Sequence, residues 1–297
     1  MPNVKLKNYI HLHFIVFIWG FTAVLGKLIT IDALPLVWYR MLIATALIFV
    51  YLRFKRFKLK VARKALILMV IGGIALALHW LTFFMAIKVS NVSITLATMS
   101  TGAFFTAIIE PIWYGRKVIV YELIFGLIVI IGLYIIFQVE SDYWYGIALA
   151  LTSAFLSVIF TLVNGKLAQY QKPSIISFYE LGIGVLLLTM FLGYEQSFSL
   201  EFFKLSINDL VYIFILASIC TAYAFIASVK VMRYITPYTV MLTVNMEPVY
   251  GIILAFILLG DDEKMNPMFY LGAVIIIATV IVNGILKQLS NKKMGTP

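Results

Sequence analysis

The chain lacks several features on which common protein functions depend. Its 297 residues include a single cysteine, Cys220, which excludes an intramolecular disulfide and a metal cluster held by thiolates. Charged residues make up only 12% of the chain. A water-soluble globule needs more polar surface than this composition can supply. The composition therefore excludes an ordinary soluble domain.

Enzyme signatures are also missing from the sequence. The three histidines, His11, His13 and His79, form no His-Glu-x-x-His pair, and no acidic cluster completes a metal site. There is no Gly-x-Ser-x-Gly elbow and no phosphate-binding glycine loop. We therefore predict that the protein is not an enzyme and has no catalytic residues, no metal and no cofactor. The alternative class is a membrane-embedded enzyme or a non-transporting membrane protein.

Long apolar runs dominate what is present, because 63% of the residues are hydrophobic. A membrane-spanning helix needs about 20 apolar residues, so the length allows about ten spans with short connections. Punctuation by charge, proline and glycine predicts an all-α membrane protein of ten transmembrane helices. Their predicted ranges are residues 9–30, 35–52, 65–87, 91–114 and 118–138, followed by 143–164, 174–194, 209–229, 237–259 and 267–286.

The basic residues lie mainly in the connections between these runs. The net charge of +10 is compatible with nucleic-acid binding, but the positions of the charges favour the positive-inside rule. With a cytoplasmic N-terminus, only Lys88, Lys204 and Lys264 fall in outer loops. We therefore predict a multi-pass protein of the cell (inner or plasma) membrane with both termini cytoplasmic, and no nucleic-acid partner.

Two segments of the chain nearly match. Residues 22–28 read Thr-Ala-Val-Leu-Gly-Lys-Leu, and residues 161–167 read Thr-Leu-Val-Asn-Gly-Lys-Leu. Each half contains an odd number of spans, so the two segments cross the membrane in opposite directions. This pattern is typical of the inverted repeats of transporters. We predict two five-helix inverted-topology repeats around a central cavity, at residues 9–138 and 143–286, and a cytoplasmic tail at residues 287–297.

The order of motifs in the two halves resembles the EamA-type members of the drug/metabolite transporter superfamily. The resemblance depends on Trp19-Gly20, Lys27, Pro35 and Tyr39-Arg40 in the first half, and on Tyr179-Glu180-Leu181, Glu247-Pro248 and the segment 260–263 in the second. It implies a ten-helix secondary transporter or exporter of small metabolites, such as amino acids or related compounds.

Ionisable residues inside the spans are the first candidates for function, because a charge in hydrocarbon costs about 2.5–3.5 kcal/mol on insertion scales. Glu247, near the middle of a span and next to Pro248, is a candidate proton carrier. The alternative is a structural carboxyl that is hydrogen-bonded near Asn245. Arg40 suits a substrate carboxylate or phosphate, or else it snorkels to the headgroups or pairs with Asp32. Lys27 has the same two alternatives, substrate contact or snorkelling.

Further candidates have polar tips within the spans. Glu110 and Glu180 are candidate gating residues that would pair with Lys166, Arg116 or Lys117 near the cytoplasmic face. The remaining substrate-binding or coupling candidates are His79, Trp80, Asn245, Tyr179 and Tyr223. Packing inside the core or at the membrane interface is the alternative for the histidine and the aromatic residues.

The function predicted from these observations is export of small metabolites by alternating access, with proton linkage as one option for the driving force. The predicted partners are a small-molecule metabolite and the lipid bilayer. The sequence does not choose between a monomer and a homodimer, and it does not identify the substrate.

Overall fold

A computed structural model describes residues 2–115, 120–235, 240, 243–244, 246–260 and 264–293. This part of the chain is helical. The helices are α1 Pro2–Leu28, α2 Ala33–Phe54, α3 Arg63–Val89, α4 Val92–Met99, α5 Gly102–Tyr114, α6 Val120–Val139, α7 Trp144–Leu167, α8 Pro173–Tyr194, α9 Ile207–Ala217, α10 Ala224–Val231, α11 Glu247–Leu259 and α12 Pro267–Lys293.

Seven helical segments of the described chain are long and apolar enough to cross a membrane. Three shorter apolar helices, Ile124–Gln138, Glu247–Leu259 and Pro267–Thr279, lie where the fifth, ninth and tenth spans are predicted. The prediction of an all-α membrane protein is therefore confirmed, while the count of ten spans stays a prediction.

Two predicted spans are not continuous α-helices. The fourth is divided into α4 and α5 at Ser100 and Thr101, and the hydroxyl of Thr101 donates to the main-chain oxygen of Thr98 over 2.8 Å. The eighth contains a π-helical turn, Ser218–Tyr223, between α9 and α10. Serine and threonine hydroxyls compete for main-chain groups, which explains why an unbroken apolar run still changes its helical geometry.

The inverted arrangement of the repeats follows from where α9 and α10 begin and end. Near the start of α9, Asp209 accepts a hydrogen bond of 2.7 Å from the main-chain nitrogen of Thr30, just after α1 ends. After α10 ends, Arg233 donates from Nε to the main-chain oxygen of Ala168, just after α7 ends. The matched helices α1 and α7 therefore end at opposite ends of the same span.

Helix packing repeats this relationship through the molecule. Helix α3 of the first half packs along α7, and the corresponding α9 and α10 pack along α1. Helix α1 contacts α11, while α7 contacts α4 and α5. Helices α2 and α8 pair across the repeats, as do α6 and α12. Such exchanged packing places one interior between the two halves, as in transporters that are built from inverted repeats.

The outer surface and the helix contacts suit a lipid environment. On α3, the side chains of Ile67, Ile71 and Ile74 form an exposed stripe at helical spacing. Helices α6 and α12 approach closely at Gly132 and Gly272, where an added Cβ on Gly132 would lie 2.9 Å from the main-chain oxygen of Gly272. Small residues at helix contacts are a usual means of association in a membrane, where lipid is as apolar as leucine.

Candidate functional site

A cavity lies between the two repeats. The lining side chains come from both halves, and they are Trp19, Thr22, Arg40, Leu76, His79, Trp80, Phe83, Met99, Ser157, Phe160, Thr161, Asn164, Phe225, Ser228, Val229, Met232, Val240, Val244 and Glu247.

Arg40 is the cation of this cavity, and it is 1% exposed. Its Nε donates to the hydroxyl of Thr221 over 2.6 Å, and its guanidinium lies 3.7 Å from the centre of the Trp80 ring. Its Nη1 is buried and has no hydrogen-bond partner among the described residues. Snorkelling of Arg40 and its pairing with Asp32 are therefore wrong as explanations. The unused donor suits an anionic oxygen that enters from the cavity.

The π-helical turn determines how Arg40 is held. Within the turn, the hydroxyl of Thr221 donates to the main-chain oxygen of Leu216, five residues earlier, over 2.7 Å. The same hydroxyl accepts from Arg40, and the main-chain oxygen of Cys220 accepts from the indole of Trp19 over 3.2 Å. A π turn widens the helix and exposes groups that an α-helix would use internally. The turn therefore fixes two residues of the cavity wall.

Glu247 is the acidic residue of the same cavity and the first residue of α11. The positive end of a helix dipole stabilises a carboxylate at this position. Arg40 and Glu247 are both described, and no direct ion pair joins them. The cavity thus contains a basic and an acidic side chain that are not paired with each other, so both can contact a ligand.

His79 lines the cavity from α3, where it is half-buried. Its Nδ1 lies 2.7 Å from the hydroxyl of Ser153 and 3.0 Å from the main-chain oxygen of the same residue. The Ser153 hydroxyl donates in turn to the main-chain oxygen of His79 over 2.9 Å. These contacts join α3 to α7 and fix the ring, so Nε2 is the nitrogen that remains for the cavity.

A polar stripe on α7 supplies site residues that the sequence analysis missed. Ser157, Thr161 and Asn164 share one face of the helix with Ser153, at the spacing of successive turns. Three of them line the cavity, and Asn164 also donates from Nδ2 to Oε2 of Glu180 over 3.0 Å. The stripe is a sequence signal, because four polar residues at helical spacing interrupt an otherwise apolar run.

The two gating candidates, Glu110 and Glu180, are both buried, and the pairing of Glu180 with Lys166 is wrong. Glu180 is fully buried and bonded to Asn164, while Lys166 is exposed, so these two residues do not pair. Glu110 is buried on α5 and is not among the cavity-lining residues. Arg116 and Lys117, the other predicted partners, lie outside the described residues.

Several predicted binding residues are placed elsewhere. The Tyr179 hydroxyl donates to the main-chain oxygen of Leu59 over 2.8 Å, in the connection between α2 and α3. The Tyr223 hydroxyl lies 2.9 Å from Nε2 of His11, and its side chain is exposed. Lys27 is half-buried in the last turn of α1 and does not line the cavity. Asn245 lies outside the described residues.

The helical repeats, the lipid-facing surface and the enclosed cavity define a multi-pass membrane protein of the transporter type. The model of the EamA-like transporter family matches residues 7–138 and 144–285. The chain therefore belongs to the EamA-like transporter family, within the drug/metabolite transporter superfamily. The resemblance that was noted from the sequence is confirmed.

Two further comparisons agree with this assignment. A relative from Archaeoglobus fulgidus, described as an uncharacterized transporter, is 26% identical over 219 residues, which are 73% of this chain and 75% of the relative. A protein of known crystal structure aligns with a TM-score of 0.69 over 95% of this chain and 98% of its own, at 12% identity. At that identity the likeness shows the fold alone.

Proposed function

We propose that this EamA-family transporter exports small zwitterionic metabolites of the amino-acid type by alternating access. The observation that carries the proposal is the pair of opposite charges, Arg40 and Glu247, in the wall of one cavity. Arg40 binds the substrate carboxylate, and Glu247 binds its ammonium group. The presence of both residues is decisive, because a site for a substrate with a single charge would need only one of them.

The state of Arg40 supports carboxylate binding. Arginine presents donors in a planar fork that matches a carboxylate, and here Nη1 is already desolvated without a partner. A substrate that supplies an oxygen to Nη1 satisfies a group whose burial is otherwise costly. The stacked Trp80 ring and the Thr221 hydroxyl hold the guanidinium in place, so little side-chain entropy is lost on binding.

The rest of the wall suits the apolar part of such a substrate. Trp19, Trp80, Phe83, Phe160 and Phe225 line the cavity, and their rings are packed against neighbouring aromatic rings or hydrogen-bonded at the edge. Rigid aromatic side chains bury apolar surface at low cost in conformational entropy. Amino acids with aliphatic or aromatic side chains are therefore the preferred substrates.

Alternating access needs one contact to open at each end of the cavity. Lys88 donates to the main-chain oxygen of Ile29 after α1, and Arg233 donates to that of Ala168 after α7. These matched contacts close opposite ends of the molecule, because α1 and α7 end at opposite ends of the α9–α10 span. The alternating opening of the two contacts exposes the cavity first to one side and then to the other.

The location follows from the same proposal. The transporter spans the cell membrane with both termini in the cytoplasm, in agreement with the distribution of its basic loop residues. The sequence contains no nucleotide-binding motif, so an ion or substrate gradient supplies the driving force.

The experiment compares three ligands that share one side chain: leucine, isopentylamine without the carboxylate, and 4-methylpentanoate without the ammonium group. A panel of amino acids is first screened by thermal shift, and if another amino acid binds more strongly than leucine, it and its two analogues are used instead. The three ligands are then compared on the purified protein by thermal shift and by counterflow in liposomes. Wild-type protein is expected to prefer the zwitterion over both analogues.

Two variants assign the charges. Arg40→Gln is expected to remove the preference for the carboxylate, and Glu247→Gln to remove the preference for the ammonium group. Loss of one charged hydrogen bond corresponds to about a 10- to 100-fold weaker affinity. Equal binding of all three ligands by the wild-type protein would contradict a zwitterion site.

A further inference from the structure

Glu180 occupies a closed site directly behind the cavity wall. It is 0% exposed, and its Oε2 accepts a hydrogen bond of 3.0 Å from Nδ2 of Asn164, which lines the cavity. The same Nδ2 lies 3.1 Å from the main-chain oxygen of Phe160, so the amide nitrogen is placed by two acceptors. The carboxyl is therefore connected to the cavity through one side chain.

Two buried oxygen atoms at this site have no donor in the part of the chain that the structure describes. They are Oε1 of Glu180 and Oδ1 of Asn164, which belong to side chains that already share a hydrogen bond. An ionised carboxylate offers about four acceptor positions, and an amide oxygen offers about two. One proton on Oε1 supplies the missing donor and removes the buried charge at the same time, since a protonated carboxyl and an amide can form a reciprocal pair.

Other charged groups do not substitute for this proton. On α3, Gly72 and Gly73 lie close to Glu180, and a Cβ on Gly72 would lie 2.2 Å from Oε1. On α7, Lys166 is exposed. The titratable cavity residues of α2 and α3, Arg40 and His79, bind Thr221 and Ser153. From α10, no charged or titratable side chain is recorded against Glu180 in the described part of the chain.

We propose that Glu180 is a proton-binding site that is coupled to the substrate cavity through Asn164. When the proton is present, Glu180 donates to the amide oxygen of Asn164, and both side chains are neutral and satisfied. When the proton leaves to water, the carboxylate keeps the Asn164 nitrogen as its one donor among the described residues. The protonation state thereby changes how firmly a cavity-lining residue is held.

The position of Glu180 gives the proton a short route. The residue lies about two turns from the start of α8, which is about 10 Å along the helix from the predicted cytoplasmic face. Arg40 lies at a similar distance from the start of α2, at the opposite predicted face. The proposal moves the proton site from Glu247, which the sequence favoured, to Glu180, and it leaves Glu247 to bind substrate.

The test is the infrared spectrum of the reconstituted protein over a series of pH values. Wild-type protein is expected to show the C=O stretch of a protonated carboxylic acid that persists above the pH at which exposed carboxyls have lost their protons. The band is expected to disappear in Glu180→Gln and to remain in Glu247→Gln. A band that is unchanged in Glu180→Gln would overturn the proposal, as would one that responds to Na⁺ at constant pH instead of to protons.

Asn164→Ala provides a second readout that does not remove the carboxyl. Asn164→Ala removes a hydrogen bond from the ionised carboxyl and the reciprocal pair from the protonated one, so the band is expected to titrate at a different pH. An identical titration in this variant would overturn the coupling through Asn164. This readout also decides the question where Glu180→Gln does not fold.

The coupling rests on the proposed function, so transport is measured separately with a mixture of radiolabelled amino acids in liposomes. The pH dependence of uptake is expected to be lost in Glu180→Gln and retained in Glu247→Gln at a lower rate. A Glu180 band without any amino-acid transport would contradict the proposed function and leave the proton site standing. Transport without the band would contradict the proton site alone.

Discussion

Arg233 donates from Nε to the main-chain oxygen of Ala168 over 3.0 Å, and this contact has a counterpart in the other repeat. There, Lys88 donates to the main-chain oxygen of Ile29. Both oxygens belong to the residue that follows the last helical residue of a matched segment, where main-chain oxygens lack partners and attract cations. The two halves thus use the same contact at opposite ends of the molecule.

The first prediction concerns access to the cavity through these contacts. With Ser157→Cys as a reporter in the cavity wall, Lys88→Ala is expected to increase labelling by a membrane-impermeant thiol reagent from the outer side. Arg233→Ala is expected to increase labelling from the inner side. Loss of one hydrogen bond of about 1 kcal/mol changes the ratio of open to closed forms about fivefold, and Arg233→Ala also removes the bond from Nη2 to the main-chain oxygen of Gln171.

Cys220 is buried, and the parent protein without the reporter measures its background. Arg233→Lys keeps a cationic donor and serves as the matched control, with labelling close to that of the parent. Increased labelling from the same side in both alanine variants would contradict the assignment of one contact to each end.

The second prediction tests the packing of α3 against α8. An added Cβ on Gly72 would lie 2.2 Å from Oε1 of Glu180, so Gly72→Ala forces the buried carboxyl to move. We expect a loss of about 1–3 kcal/mol in the free energy of unfolding, which a detergent-based titration measures. Gly182→Ala is the control, since its new Cβ would meet only a Thr45 methyl group at 3.8 Å.

For Gly182→Ala we expect no loss, and a gain of up to about 1 kcal/mol because alanine favours the helix. Equal losses in the two variants would show that the effect comes from the helix and not from the contact with Glu180.

Much of the fold could be predicted from the sequence, because hydrophobic length and loop charge are direct consequences of the bilayer. The division of the fourth span at Ser100 and the π turn around Thr221 could not be predicted in this way. Both lie inside apolar runs that satisfy the pattern of a continuous helix. The geometry of these two places depends on the hydrogen bonds that the hydroxyls of Thr101 and Thr221 donate to the main chain. The π turn also depends on Arg40, which donates to Thr221 from another helix.

The site was predictable in part. Arg40, His79, Trp80 and Glu247 line the cavity, since polar groups within a span are restricted to interior positions. The burial of Arg40 could not be predicted, because its distance from the start of α2 does not reveal that neighbouring helices cover it. Asn164 was missed although it stands where the matched first segment has a leucine.

The third prediction concerns the C-terminal end of α1. Asp209 is 2% exposed and accepts from the main-chain nitrogen of Thr30 at 2.7 Å, from the Thr30 hydroxyl at 2.6 Å and from the Ser206 hydroxyl at 2.9 Å. Asp209→Asn replaces one accepting oxygen by a donor that faces another donor. We expect a loss of about 1.5–3 kcal/mol in the free energy of unfolding.

Asp142→Asn is the control for the loss of an acidic charge, because Asp142 is exposed. Its effect on the unfolding titration is expected to stay within about 0.5 kcal/mol. A similarly small effect of Asp209→Asn would mean that the two hydrogen bonds from Thr30 do not hold the end of α1 against α9.

The last prediction concerns the hydrogen bond between Arg40 and Thr221, which is measured by a double-mutant cycle. Thr221→Val keeps the shape of the side chain but removes the hydroxyl that accepts the hydrogen bond from Nε of Arg40. Arg40→Met removes the charge and keeps much of the volume. Because the cost of Thr221→Val comes mainly from the stranded charge, it should fall strongly when Arg40 is already methionine. We expect a coupling energy of about 1–3 kcal/mol from unfolding titrations of the four proteins.

Thr221→Ser retains the hydroxyl and should restore most of the stability. Additive effects of the two substitutions would show that Arg40 is held by the Trp80 ring and not by the π turn.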